Sequence, residues 1–273
     1  MKDSPVERTE RPRRGIQSIE VGGKILLALA ESGDAMLLKD LAKAAAMSAA
    51  KAHPYLVSYG NLGLVEQDPI SGRYELGPLA LQMGLACLRR LNPVRLGTIA
   101  AAKLAEQINQ TVALAVWGSA GPTIVHIEES SRPIHMNMRT GTIMSLFTAT
   151  GRIFAAFLPP KLVERYVENF QSLAYPHRMG EPPDWKEVQA VIQDVREKGM
   201  SRTMGAPIPG VNAFSAPVFD HEGHIVLAVT ILGPAGAFEA EWDGENARAL
   251  KACADDLSHR LGSKPSNNGK SRN

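Results

Sequence analysis

The chain has 273 residues, 44% of them hydrophobic, which is enough material for two ordinary cores. Its net charge of +2 argues against a diffuse electrostatic grip on nucleic acid, since non-specific affinity scales with the phosphates neutralised. Cys87 and Cys253 are too few for a disulfide scaffold and read as reduced thiols. No apolar leader follows the early charges, and the longest apolar run, residues 225–232, is too short to span a bilayer. A cytoplasmic protein that does not enter membranes is expected.

Residues 1–15 are polar, with Pro5, Pro12 and a basic arm of Arg8, Arg11, Arg13 and Arg14, and are expected to lack order on their own. The spacing of Ile25, Leu26 and Leu29 predicts a helix over 18–32, stopped by Gly33. A second helix over 38–47 carries Leu38, Leu41, Ala42 and Ala45 on one face and ends in a turn at Ala46 and Met47. Ser48 is suited to cap the next helix, 49–63, because its hydroxyl can accept a free amide proton. That helix turns Ala52, Leu56 and Tyr59 inward. Residues 64–77 then read as two short strands joined by Asp68, Pro69, Ile70, Ser71 and Gly72, all compatible with a turn. A steep helix pair whose second member exposes small and polar residues, followed by a two-stranded wing, fits a DNA major groove. The formal charge of residues 1–77 is nevertheless zero, ten Lys/Arg against ten Asp/Glu.

Pro78 opens a linker helix over 79–91, broken at Asn92 and Pro93, with Arg89, Arg90 and Arg95 clustered around the break. A helix over 94–109 begins a second domain. Strands are expected at 111–117, 122–129 and 134–139, and helices at 150–158 and 161–170. After a loop rich in Pro and Gly comes an amphipathic helix, 184–199, with Val188, Val191, Ile192 and Val195 inward. Strands 212–219 and 224–233 form a hairpin across residues 220–223. A last helix over 239–261 precedes a Ser/Asn/Lys tail. The expected class is α+β with a central antiparallel sheet. Its divisions are an arm (1–15), a winged helix-turn-helix domain (16–77), a linker helix (78–93), a second domain (94–262) and a tail (263–273).

The stretches DLAKAAAMSAAKAHPYLVSYGNLGLV, SGRYELGPLALQMG, TATGRIFAAFLPP and PGVNAFSAPVFDHEGHIVLAVTILGP, in that order and spacing, resemble the IclR family of bacterial transcriptional regulators. The resemblance spans residues from about 16 to about 262. It implies a GAF-like effector-binding second domain, a palindromic double-stranded DNA operator, a small-molecule effector and a homodimer or homotetramer. Candidate DNA-facing residues are Ser48, Ala49, Ala50, Lys51 and His53 at the start of the reading helix. Arg73 in the wing and Arg11, Arg13 and Arg14 in the arm join them. Pro54 stands where family members commonly carry a basic residue. Either the helix is kinked with altered specificity, the favoured reading, or DNA binding is weakened.

For the effector, the resemblance points to Gly151, Arg152, Thr203, Ala213, Thr230 and Leu232. Leu146, Phe147 and Phe214 are candidate walls of a pocket more apolar than the family pattern. An aromatic or otherwise hydrophobic acid from catabolism is the expected ligand. No Gly-x-Ser-x-Gly, His-Glu-x-x-His, Cys-x-x-Cys or glycine-rich phosphate loop occurs, so no catalytic residue and no cofactor is expected. His221, Glu222 and His224 have the composition of metal ligands but fall in a hairpin turn, where polar residues belong anyway, and no metal is expected. The rival readings are an enzyme built on the second domain and an interaction module without DNA binding.

Overall fold

The structure is a computed structural model that describes residues 15–131, 138–169 and 185–264. The chain divides into two compact units between Leu91 and Asn92, each taken by itself below.

The first unit begins with α1 (Gln17–Ser32), α2 (Leu38–Ala44) and α3 (Ala49–Leu62), which pack pairwise. Their shared core is Ile25, Leu29, Leu41, Ala45, Ala52 and Leu56, closed by Val65 and Tyr74 from the wing. The second helix stops earlier than its sequence suggests, because Ala46 takes a left-handed φ of 52° and turns the chain toward Ser48. The third ends at Gly63, whose φ of 75° glycine adopts without the steric cost that a Cβ brings. Strands β1 (Val65–Gln67) and β2 (Tyr74–Leu76) pair antiparallel, and Met36 adds a bridge to Tyr74 on the other side. Helix α4 (Pro78–Leu88) is strongly apolar yet buries no residue within the chain; Leu81 is 65% exposed. On α1, Ile19 and Leu27 are exposed as well.

The second unit opens with α5 (Pro93–Ile108), capped by the Asn92 side chain, which accepts from the Arg95 amide at 3.0 Å. It then builds β3 (Thr111–Gly118), β4 (Gly121–Glu128), α6 (Ala149–Phe157), α7 (Pro160–Asn169) and α8 (Trp185–Lys198). It closes with β5 (Ser201–Met204), β6 (Val211–Phe219), β7 (Ile225–Pro234) and α9 (Glu245–Arg260). The five strands form one antiparallel sheet in the order β4-β3-β7-β6-β5. Helices α5 and α9 pack together and on β3, β6 and β7, while α6 packs on β5, β6 and β7 with α8 against it. Burial therefore runs continuously along β6, from Val211 to Val218, without the alternation of a half-solvated sheet.

Several sequence expectations need correction. Residues 134–137 of the proposed third strand lie outside the described residues, and Met138 and Arg139 are not in a strand; beyond them, Ile143 makes an isolated bridge to Thr123 on β4. Strand β5 was not expected, because its buried face is Ser201 and Thr203, which carry no hydrophobic signal. The last helix starts at Glu245, six residues after the expected Glu239. Trp242 packs edge-on to Phe214 at 5.4 Å and draws the preceding segment off the helix axis. The Glu239 carboxylate then caps the helix from that segment, accepting from the Asn246 amide at 3.3 Å.

Candidate functional site

At the start of α3, Ser48 sits in extended conformation and its Oγ accepts from the Lys51 amide at 3.3 Å. This cap fixes the first turn and leaves Ala49, Ala50, Lys51 and His53 exposed on it. Ser48 is thus a structural element of the turn. Pro54 lies inside α3 without breaking it. The ring removes one amide proton that would have gone to Ala50, whose exposed position lets water take its place. One turn later, Ser58 Oγ donates to the Pro54 carbonyl at 2.9 Å.

The wing is held by Asp68. Its carboxylate accepts from the Ser71 hydroxyl at 2.7 Å and from the Ile70 amide at 2.9 Å, and these two bonds hold its pKa below the usual carboxylate value. The turn so fixed carries Ile70 at its tip, 95% exposed, a residue that sequence reading passed over as turn filler. The Arg73 guanidinium donates to the Ala35 carbonyl at 3.0 Å, so one of its nitrogens braces the wing against the segment before α2. Arg11, Arg13 and Arg14 lie outside the described residues.

In the second unit a small cleft lies between the start of α6 and the sheet. Thr148, Ala149 and Thr150 line it from the helix, and Ala113, Thr203, Ala213, Thr230 and Leu232 from the strands. Met138, Met144 and Ile208 come from connecting segments, and among the described residues no charged side chain lines it. Thr203, Ala213, Thr230 and Leu232 are therefore brought together as expected.

The other five candidates do not line it. Gly151 is needed for packing: a Cβ there would lie 2.1 Å from the Ser145 carbonyl oxygen and 2.6 Å from Leu146 Cα. Arg152 turns away from the cleft, donating from Nε to the Phe147 carbonyl at 3.0 Å and from Nη1 to the Arg202 carbonyl at 3.1 Å. Burial lowers its pKa, against the opposing pull of the Asp194 carboxylate. Leu146 and Phe147 belong to a separate cluster with Val163, Tyr166 and Val188. Phe214 packs against Phe238 at a tilt and edge-on against Trp242. Strand alternation explains the error for Phe214, which neighbours Ala213 in sequence but points to the opposite face. The same alternation could have marked the cleft-facing side of β7.

The cleft wall holds a buried chain of hydroxyls. Thr150 Oγ1 lies 2.8 Å from Thr230 Oγ1, Thr230 donates to Ser215 Oγ at 2.8 Å, and Ser215 donates to the Val229 carbonyl at 3.2 Å. Thr148 caps α6, its hydroxyl accepting from the Gly151 amide at 3.1 Å while donating to the Ser145 carbonyl at 2.7 Å. Sequence reading missed Thr148 and Thr150, although a threonine directly before a helical run is a capping signal.

Asp220, Glu222 and His224 place their ligand-type atoms within 4.8 Å of one another in the β6–β7 turn. Asp220 Oδ1 is taken up by the amides of Glu222 and His224, both at 2.9 Å, which is the ordinary way such a turn is stabilised. Among the described residues, no helix is long and apolar enough to cross a membrane.

Comparison with known proteins bears on both units. Residues 18–69 match the IclR helix-turn-helix domain and residues 86–259 the bacterial transcriptional regulator IclR C-terminal domain. The chain is 28% identical over 252 residues to the glycerol operon regulatory protein of Streptomyces coelicolor, covering 91% of this chain and 98% of that one. It is 23% identical over 239 residues to the transcriptional regulator KdgR of Escherichia coli, covering 87% and 90%. Among solved structures, HmgR of Pseudomonas aeruginosa superposes with a TM-score of 0.80 at 34% identity, covering 93% of this chain and 100% of that one. The repressor BlcR of Agrobacterium tumefaciens shares the fold, with a TM-score of 0.75 at 21% identity over 92% and 99% of the two chains. A capped reading helix with its wing, a five-stranded α+β unit and matches to both family domains lead to one conclusion: the chain belongs to the IclR family of bacterial transcriptional regulators.

Proposed function

We propose that the chain is a ligand-responsive regulator of a catabolic operon, acting as a homodimer or homotetramer on a palindromic operator, with a small organic acid as its effector. The observation that carries this reading is the pairing of an exposed, capped reading helix in one unit with an apolar cleft in the other. The names of relatives support the operon-level role, since one is a glycerol operon regulatory protein.

Ala49, Ala50, Lys51 and His53 read the major groove, and Arg73 with the arm arginines Arg11, Arg13 and Arg14 hold phosphates or the minor groove. The exposed apolar side chains of α1 and α4, Ile19, Leu27, Leu81 and Met83 among them, are the surface through which two copies pair. With no charged side chain in the cleft among the described residues, a carboxylate is held by the leading amides of α6. Those of Ala149 and Thr150 precede the first intrahelical bond, Arg152 to Thr148. To regulate at all, the ligand must favour one arrangement of the paired reading heads over another.

Selection of bound duplexes from a random-sequence pool, followed by footprinting, tests the DNA half of the proposal. The expected product is two half-sites about one helical turn apart, or a multiple of it. Lys51→Ala is expected to weaken binding by about 1–3 kcal/mol if the side chain meets a base edge. Enrichment of no sequence, or of a single half-site without symmetry, refutes the paired reader.

A further inference from the structure

The protons of the hydroxyls in the cleft wall can be followed one by one. Each hydroxyl has a single proton to give, whereas a carbonyl can only accept. Ser215 lies against the Val229 carbonyl at 3.2 Å and so spends its proton there. Its oxygen is then the acceptor for Thr230 at 2.8 Å, which spends the proton of Thr230. The 2.8 Å contact between Thr230 and Thr150 can therefore be filled only by the proton of Thr150. Reversing the chain would leave the Ser215 and Val229 oxygens facing each other with no proton between them, in a place where Ser215 is fully buried. Thr150 is thus left with lone pairs and nothing to donate. Thr148 reaches the same condition separately, since its proton goes to the Ser145 carbonyl.

We infer that the effector carries a hydroxyl group, alcohol or phenol, on an apolar body, and that this hydroxyl donates to Thr150 Oγ1. The inference rests on the cleft being the effector site. A methyl ether, a ketone or a bare carboxylate at that point meets an oxygen that can only accept. Ala113, Val211, Ala213 and Leu232 supply the apolar contacts for the rest of the molecule.

The test uses the full chain, titrated calorimetrically and followed by thermal melting, with three matched sets of probes. They are mandelate, O-methylmandelate and phenylacetate; 4-hydroxyphenylacetate, 4-methoxyphenylacetate and phenylacetate; and 3-hydroxybutyrate, 3-methoxybutyrate and butyrate. In any set that binds, the hydroxy compound is expected to bind at least about tenfold tighter than its ether and its deoxy partner. Thr230→Val removes the acceptor of the Thr150 proton and frees it to donate, so the preference over the ether is expected to collapse. Thr230→Ser keeps the chain and keeps the preference. Should Thr230→Val fail to fold, Ser215→Ala serves instead, since it lets Thr230 turn its proton toward Thr150. An ether or deoxy compound bound as tightly as its hydroxy partner overturns the inference while leaving the cleft as the effector site. So does a preference that survives both Thr230→Val and Ser215→Ala. Silence from every probe overturns the cleft as a site for such acids, and the inference with it.

Discussion

Replacing Gly151 by alanine separates a packing role from a ligand-facing one. In an ordinary helix interior the change would stabilise by about 1 kcal/mol, because alanine loses less backbone freedom than glycine. Here the added Cβ would lie 2.1 Å from the Ser145 oxygen and 2.6 Å from Leu146 Cα, and both are backbone atoms that cannot swing aside. Overpacking of a rigid contact costs about 1–3 kcal/mol and sometimes more, and two backbone overlaps at these distances belong at the upper end or beyond. The net expectation is a loss of about 2 kcal/mol or more from the second unit. For a unit of this size that corresponds to a fall in melting temperature of about 4–8 °C. Thermal unfolding followed by circular dichroism, with urea unfolding as a check, measures it. A variant as stable as the parent, or more stable, refutes the close approach of α6 to the Ser145–Leu146 backbone and returns Gly151 to the list of ligand-facing candidates.

Ser48→Ala removes the cap of α3 and should cost the first unit about 1 kcal/mol, measured by urea unfolding. Arg152→Met gives up two hydrogen bonds from a half-buried cation and should cost about 1.5–3 kcal/mol in stability; calorimetry should show effector affinity unmoved, because the side chain is outside the cleft. Pro54→Arg should stabilise α3 by less than about 3 kcal/mol, since Ala50, the residue that loses its amide partner, is exposed, and should steepen the salt dependence of DNA binding. Competition between operator and random DNA then shows whether the proline tunes specificity, in which case discrimination falls, or harms reading, in which case it improves. The pKa of Asp68 is lowered in the folded wing, so its contribution is present above the unfolded carboxylate value and is lost as pH falls through the lowered one. Amide exchange at Ile70 should therefore accelerate only in acid, and Asp68→Asn should remove that pH dependence.

The reading unit was largely legible because its signals are local. The Ser48 cap, the Gly33 and Gly63 stops and the Asp68–Gly72 turn each depend on a few neighbouring residues and on backbone rules. The cleft was only half legible, since it assembles from β3, β5, β6, β7 and the start of α6, which are distant in sequence. Thr203, Ala213, Thr230 and Leu232 were found by family position. Gly151 and Arg152 were carried by the same route, yet here one serves packing and the other ties loop carbonyls. Edge strand β5 stayed hidden because serine and threonine fill its buried face through hydrogen bonds, as when Ser201 donates to the Ala149 carbonyl at 2.6 Å. The late start of α9 follows from the aromatic contact of Trp242, a tertiary effect that composition does not encode.

The two thiols differ in a way that makes the chain its own reporter. Cys253 is pushed up to about 11, chiefly by burial and then by the Asp256 carboxylate, so at neutral pH it stays protonated and unreactive toward maleimides. Cys87 is exposed on α4, the helix that buries nothing within its own chain. A fluorophore or spin label can therefore be placed on α4 of the native sequence without engineering away the other cysteine. The labelling rate as the protein is diluted then tests whether a second copy covers that helix, as the proposed pairing requires.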